Sequence, residues 1–182
     1  MIHFTSDTHF NHENVIKYSQ RPFSSLGEMT QALIDRWNSV VKRGDVVYHL
    51  GDFALSWGKK HYSVIDLILS RLNGSKFLIC GNHDRDEVKK NPRWSKVCDY
   101  HELTVSSQKI VLCHYSMRTW NKMHYGSWML HGHSHGNLPD NGGKTMDVGV
   151  DVHDFTPVSF DFVGDYMSCR EIFTEDHHTP LD

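Results

Sequence analysis

Short apolar runs recur along the chain, and helical patterns fill the gaps between the first three. Ile2–Ser6, Asp45–Leu50 and Lys76–Cys80 each read as a strand, the second introduced by the turn signal RGD and the third by NGS. Lys109–His114 and Ser127–His131 read the same way. These runs are mostly continuous rather than alternating, as expected of strands covered on both faces. Leu26–Val41 carries Met29, Leu33, Trp37 and Val40 at helical spacing, with Ser24 or Ser25 placed to cap it. Tyr62–Leu72 puts Val64, Ile65, Ile68, Leu69 and Leu72 on one side, and Asn73-Gly74 ends it. The first part is therefore β-α-β-α-β. From Cys98 onward the pattern is mostly strand, with Tyr100–Val105 and Thr145–Val150 added. A last short helix is expected within Ser159–Phe173. The pattern predicts an α/β protein, a mixed sheet with helices outside. No stretch resembles a linker, so one domain is expected over residues 1–174, followed by a polar tail at 175–182.

Composition narrows the class. With 182 residues, 38% of them hydrophobic, the chain can bury a real core. A formal charge of -3 argues against a protein built to neutralise long nucleic acids. None of the four cysteines forms a CxxC pair, and Cys80 and Cys113 sit inside apolar runs, which fits reduced thiols. No secretory signal is read at Met1–Asp7, and no apolar stretch approaches the roughly 20 residues of a membrane helix. A cytoplasmic protein with no membrane partner is expected. The unusual count is 15 histidines.

Polar residues suited to chemistry fall at the ends of the strand-like runs. Asp7 and His9 follow the first, Asp52 the second, and Asn82, His83 and Asp84 the third. His114 ends the Lys109 run, and His133 and His135 follow Ser127–His131. In sheets with parallel strands, ligands bind beyond the carboxyl ends, so the fold can gather these residues on one rim. Carboxylate, imidazole and amide oxygen without thiolate suit hard or borderline divalent ions. Seven ligand candidates among them exceed what one catalytic ion with an open position uses, and they fit two ions sharing a carboxylate.

In order, these residues read Asp7-Thr8-His9, Gly51-Asp52, Gly81-Asn82-His83-Asp84, His114 and Gly132-His133-Ser134-His135. The series resembles the signature of the calcineurin-like metallophosphoesterase superfamily, and most of all its small single-domain bacterial and phage-type members. The resemblance implies two mixed sheets stacked in a sandwich and flanked by helices. It also implies a hydrolase for phosphomono- or phosphodiesters, using a hydroxide that bridges two divalent metals. Manganese is the first expectation, with iron, nickel, magnesium or zinc as alternatives. By the same resemblance Asp7, His9 and His135 bind one ion, Asn82, His114 and His133 bind the other, and Asp52 bridges them. His83 would hold the phosphate or protonate the leaving oxygen, with Asp84 orienting its ring. Glycines 51, 81 and 132 are expected to let the backbone turn sharply at the strand ends.

Other residues are less constrained. His12 reads as a donor behind the ligands, a substrate contact or a neighbour of a helix start near Glu13. His49 reads as structural, and His131 as a neighbour of the site rather than a ligand. The loop from His114 to Trp128 carries Arg118, the best cationic candidate for substrate contact, beside aromatics that can simply pack on the domain. A small phosphate ester, including a nucleotide, is the expected substrate, with no stable long nucleic-acid partner. Nuclease or nucleic-acid end-processing activity and cyclic-nucleotide hydrolysis are the alternatives. A non-catalytic binding scaffold is disfavoured because no ligand position is lost.

Overall fold

A computed structural model describes residues 1–58 and 61–173. The tail expected at 175–182 lies outside them. Two sheets face each other. The first has the order β4-β3-β2-β1-β9, from Trp94–Cys98, Ser75–Ile79, Val46–His49, Ile2–Thr5 and Val158–Ser159. Its first four strands run parallel, and β9 is antiparallel to β1. The second sheet has the order β5-β6-β7-β8, from Tyr100–Val105, Gln108–Cys113, Trp128–His131 and Thr145–Asp147. There β5 and β6 form an antiparallel pair, and β6, β7 and β8 run parallel. The stacked, mixed arrangement is the one the resemblance implies.

The alternation of side chains along each strand builds three apolar layers. Phe4, Tyr48 and Ile79 of the first sheet meet Ile110, Leu112, Leu130 and Met146 of the second. The opposite face of the first sheet presents Val47 and Leu78 to helices α2 (Leu26–Val40) and α3 (Tyr62–Arg71). Beyond the second sheet, Val111, Cys113 and Met129 are covered by Trp120 and Met123 from the β6–β7 loop. The aromatics of that loop do pack on the domain in part, and the Trp120 indole donates to the Ser127 carbonyl at 3.1 Å.

Helix α2 shows how local sequence sets an element. Ser25 accepts from the Glu28 N–H, and the Glu28 carboxylate reaches back to the Ser24 N–H, a reciprocal arrangement that satisfies free donors at the helix start. Met29, Leu33, Ile34 and Trp37 form its buried stripe. Replacing Trp37 by Ala would remove its packing and cost about 3–5 kcal/mol. The last helix, α5, spans Phe160–Ser168, with Ser159 capping it through the Phe162 N–H.

Some expectations change. The helix start read near Glu13 is α1, Asn14–Tyr18, and a short helix at Asp86–Lys89 (α4) appears in addition. Strand β4 carries exposed residues at an edge, and β9 has only two residues, so neither shows as an apolar run. The strand expected over Thr145–Val150 stops at Asp147, because the Asp147 carboxylate accepts the Gly149 N–H and a 3₁₀ turn follows at Val150–Val152. Among the described residues no helix is long and apolar enough to cross a membrane.

Candidate metal centre

The parallel strands of both sheets deliver their carboxyl ends to one cleft. Asp7 and His9 follow β1, Asp52 follows β2, and Asn82 and His83 follow β3. His114 follows β6, while His133 and His135 follow β7. Two groups form there: Asp7, His9 and His135, and Asp52, His114 and His133, each with ligand atoms within 4.8 Å of one another. Asn82 joins the second group, its Oδ1 lying 3.1 Å from His114 Nε2.

Hydrogen bonds already present fix which atoms remain free. Asp7 Oδ2 accepts from the Ser6 hydroxyl at 2.6 Å and the His133 N–H at 3.0 Å. Its Oδ1 is buried without a partner. His114 Nδ1 donates to the Leu50 carbonyl at 2.7 Å, and its Nε2 faces Asn82 Oδ1 and Asp52 Oδ2. His9 Nε2 is buried and unpartnered. Asp52 Oδ1 accepts from the His83 N–H. Its Oδ2 lies 3.6 Å from His9 Nε2 and 3.5 Å from His114 Nε2. Burial lowers both imidazoles, His9 strongly, and Asp52 only partly opposes this at His114. Lone pairs of neutral rings thus converge on a carboxylate oxygen, an arrangement that a cation between them resolves. The residues fit divalent ions, and Asp52 Oδ2, of the second group, is also 3.6 Å from His9 Nε2 of the first.

The backbone supports this reading. Asp7, His9, Asp52, His133 and His135 all have φ between 47° and 69°. Each left-handed non-glycine residue carries strain of about 1–3 kcal/mol, and such residues concentrate at functional sites. The glycines act in two ways. Gly51 has φ +91°, and a Cβ there would lie 2.6 Å from the Gly81 nitrogen. Gly81 and Gly132 do not have positive φ, so the sharp-turn role expected of them is corrected. A Cβ on Gly132 would run into the Ser6 hydroxyl, and one on Gly81 into Asp52. Glycine there permits close approach.

Asp84 also takes a different part from the one expected. Its carboxylate accepts from the N–H groups of Gly81, Asp52 and Phe53, each at 2.9 Å. Both oxygens are committed to backbone donors, so Asp84 ties the β2 loop to the β3 loop instead of orienting the His83 ring. Burial pushes its carboxyl up to about 7. His83 lies in the cleft, its ring 5.3 Å from that of His9.

Two residues behind the ligands were not singled out from the sequence. Asp151 Oδ2 lies 2.6 Å from His135 Nδ1, which turns the Nε2 of that ring toward Asp7. The Asp151 hydrogen bond holds His135 above its ordinary range against the effect of burial. Arg21 grips Asp151 with Nε and Nη2 at 2.8 Å each and donates to the carbonyls of Asp7 and Thr8. Tyr115 adds a rim, its ring 4.8 Å from that of His133. Arg118 is exposed on the loop after β6 and is not among the residues lining the cleft.

The cleft has a volume of about 260 Å³. A larger cavity of about 410 Å³ lies beyond the 131–141 segment, against Met146, Phe162 and Tyr166, and contains none of the ligand candidates. His131 lines that cavity and belongs to neither group.

Comparison with known proteins places the fold in a family. The chain is 38% identical over 168 residues to the uncharacterized protein MJ1445 of Methanocaldococcus jannaschii, covering 89% of this chain and 88% of that one. It is 26% identical over 186 residues to the gene 66 protein of Mycobacterium phage D29, covering 86% of this chain and 92% of that one. The crystal structure of AQ665, a protein of unknown function from Aquifex aeolicus, superposes with a TM-score of 0.70 at 25% identity, covering 91% of this chain and 98% of that one. The family model for the calcineurin-like phosphoesterase superfamily domain matches residues 1–148, and the chain belongs to that superfamily.

Proposed function

We propose that the protein hydrolyses small phosphate esters, mono- or diesters, at a centre that holds two divalent cations. The observation that carries this reading is Asp52 Oδ2, set within 3.6 Å of His9 Nε2 and 3.5 Å of His114 Nε2. Asp7, His9 and His135 hold one ion, Asn82, His114 and His133 the other, and Asp52 belongs to both. When bound, two such ions lower the pKa of water and neutralise charge on phosphoryl oxygens.

The chain's own residues supply the remaining parts. Asp84 fixes the loops that carry Asp52 and His83 through three backbone N–H groups. His83, free of both ligand groups, faces the cleft and is placed to hold a phosphoryl oxygen or pass a proton to the leaving oxygen. Asp151 and Arg21 keep the His135 ring aimed at Asp7. Asn82 and His133 are exposed at the mouth, which favours a small or exposed ester. The charge of -3 weighs against long nucleic acids and is compatible with a small ester such as a nucleotide.

The test loads metal-free protein separately with manganese, iron, nickel, magnesium or zinc. Hydrolysis of a mono-aryl and a bis-aryl phosphate is then compared, followed by a nucleotide panel. Metal-dependent hydrolysis of at least one aryl ester is expected. No hydrolysis with any ion, or undiminished hydrolysis without one, would overturn the reading.

A further inference from the structure

We propose that His12 is a substrate-binding residue whose Nε2–H donates a hydrogen bond to a non-bridging oxygen of the phosphate group in the cleft. The inference rests on the two-ion phosphoesterase reading above and adds a residue that the family signature does not contain. It follows from counting protons along a chain of two imidazoles.

His12 Nδ1 lies 3.2 Å from His9 Nδ1. One of these nitrogens must donate and the other accept. His9 presents Nε2, buried and unpartnered, to the carboxylate it shares with the metal groups. A ligating nitrogen carries no proton, so the His9 proton sits on Nδ1. His9 Nδ1–H therefore donates to His12 Nδ1. The proton of a neutral His12 is then left on Nε2, the far side of its ring.

That side is open. His12 Nε2 has no protein partner among the described residues and is not one of the buried unpartnered atoms. His12 lines the cleft together with His83, their rings 5.9 Å apart. Tyr18 backs the His12 ring edge-on at 6.5 Å. The cleft thus joins the candidate ligands to a wall that includes His12, whose Nε2 has no protein acceptor among the described residues. A phosphoryl oxygen held by the ions is the acceptor this donor fits, since hydrogen bonds to charged oxygens are the stronger kind. The ligand His9 also sets the state of the donor. Binding at the metal and donation to the substrate share one hydrogen-bonded chain.

The experiment compares wild type with His12→Ala, His12→Gln and His12→Asn, each loaded with manganese. Metal content is measured by mass spectrometry, inorganic phosphate affinity by calorimetry, and KM and kcat with a bis-aryl phosphate. His12→Ala is expected to weaken phosphate binding and raise KM by about ten- to a hundredfold while keeping the ions. Gln places an amide N–H near the position of Nε2 and should recover more of the affinity than Asn, whose amide falls near Nδ1. Unchanged phosphate affinity in His12→Ala would overturn the proposal. Loss of an ion in that variant would also overturn it, by making His12 a prop for His9. Better rescue by Asn than by Gln would reverse the tautomer and sink it. The phosphate measurement needs no turnover. Wild-type protein that binds phosphate but hydrolyses nothing would count against the proposed function alone.

Discussion

His49 is fully buried behind the metal centre, with the rings of Trp37, Phe53 and Trp94 around it. The Thr8 hydroxyl has one proton, and it goes to the Phe53 carbonyl at 2.9 Å. The 3.0 Å contact between Thr8 and His49 Nε2 therefore has the imidazole as donor. Nδ1 holds a lone pair, buried without a partner. Protonating it would create a cation among aromatic rings with no acceptor in reach. Burial, with a smaller contribution from His114, lowers the pKa to about 3. The unfolded value is about 6.5, so between these limits the unfolded chain binds a proton that the folded one refuses. The contribution of His49 to stability is intact above about pH 6.5 and shrinks as pH falls toward 3. At about pH 5 the loss is about 2 kcal/mol, from about 1.4 kcal/mol per pH unit. His49→Gln keeps an N–H for Thr8 and cannot titrate. Urea unfolding of both metal-free proteins at about pH 7.5 and about pH 5 measures the difference. The wild type should lose about 2 kcal/mol more than the variant over that interval, whatever the other histidines contribute to both. Equal losses would refute the tautomer argument.

Other expectations concern the centre. Asp52→Ala should lose activity and part of its metal, and two tightly held ions in that variant would remove the shared-carboxylate role. His83→Ala should lose activity with full metal content; undiminished turnover would end its assignment to the phosphate. Asp151→Asn should weaken metal affinity by about 10–100-fold, read by competition with a chelating dye. An unchanged affinity would show that the His135 ring needs no anchor. Adding an ion at about a hundred times its Kd should raise unfolding free energy by about 2.7 kcal/mol per independent site. A melting temperature indifferent to metal would contradict ligands drawn from both sheets.

The seven candidate ligand positions were legible because each follows an apolar run, and a strand end is a local event in sequence. The stacked sheets came through the resemblance, since periodicity alone shows strands without their partners. What stayed hidden depends on distance or on backbone shape. Arg21 sits in a loop with no periodicity and meets Asp151 across 130 residues. Asp151 follows the end of β8 as the other site residues follow theirs, but reading that strand through Val150 concealed the end. The left-handed backbone at Asp7 and His135 leaves no trace in composition. The need for glycine at 132 comes from the Ser6 hydroxyl, supplied by the other sheet.

The centre is split between two halves of the chain made at different times. The first sheet brings Asp7, His9, Asp52 and Asn82, and the second brings His114, His133 and His135, with Asp151 after them. A nascent chain that has emerged only as far as β5 can form its parallel β-α-β units yet has only part of each ligand set. If the centre binds ions as proposed, their capture would wait for the late strands, and any turnover would follow the docking of the two sheets. On the proposed reading, neither candidate ligand set is complete until both sheets are in place.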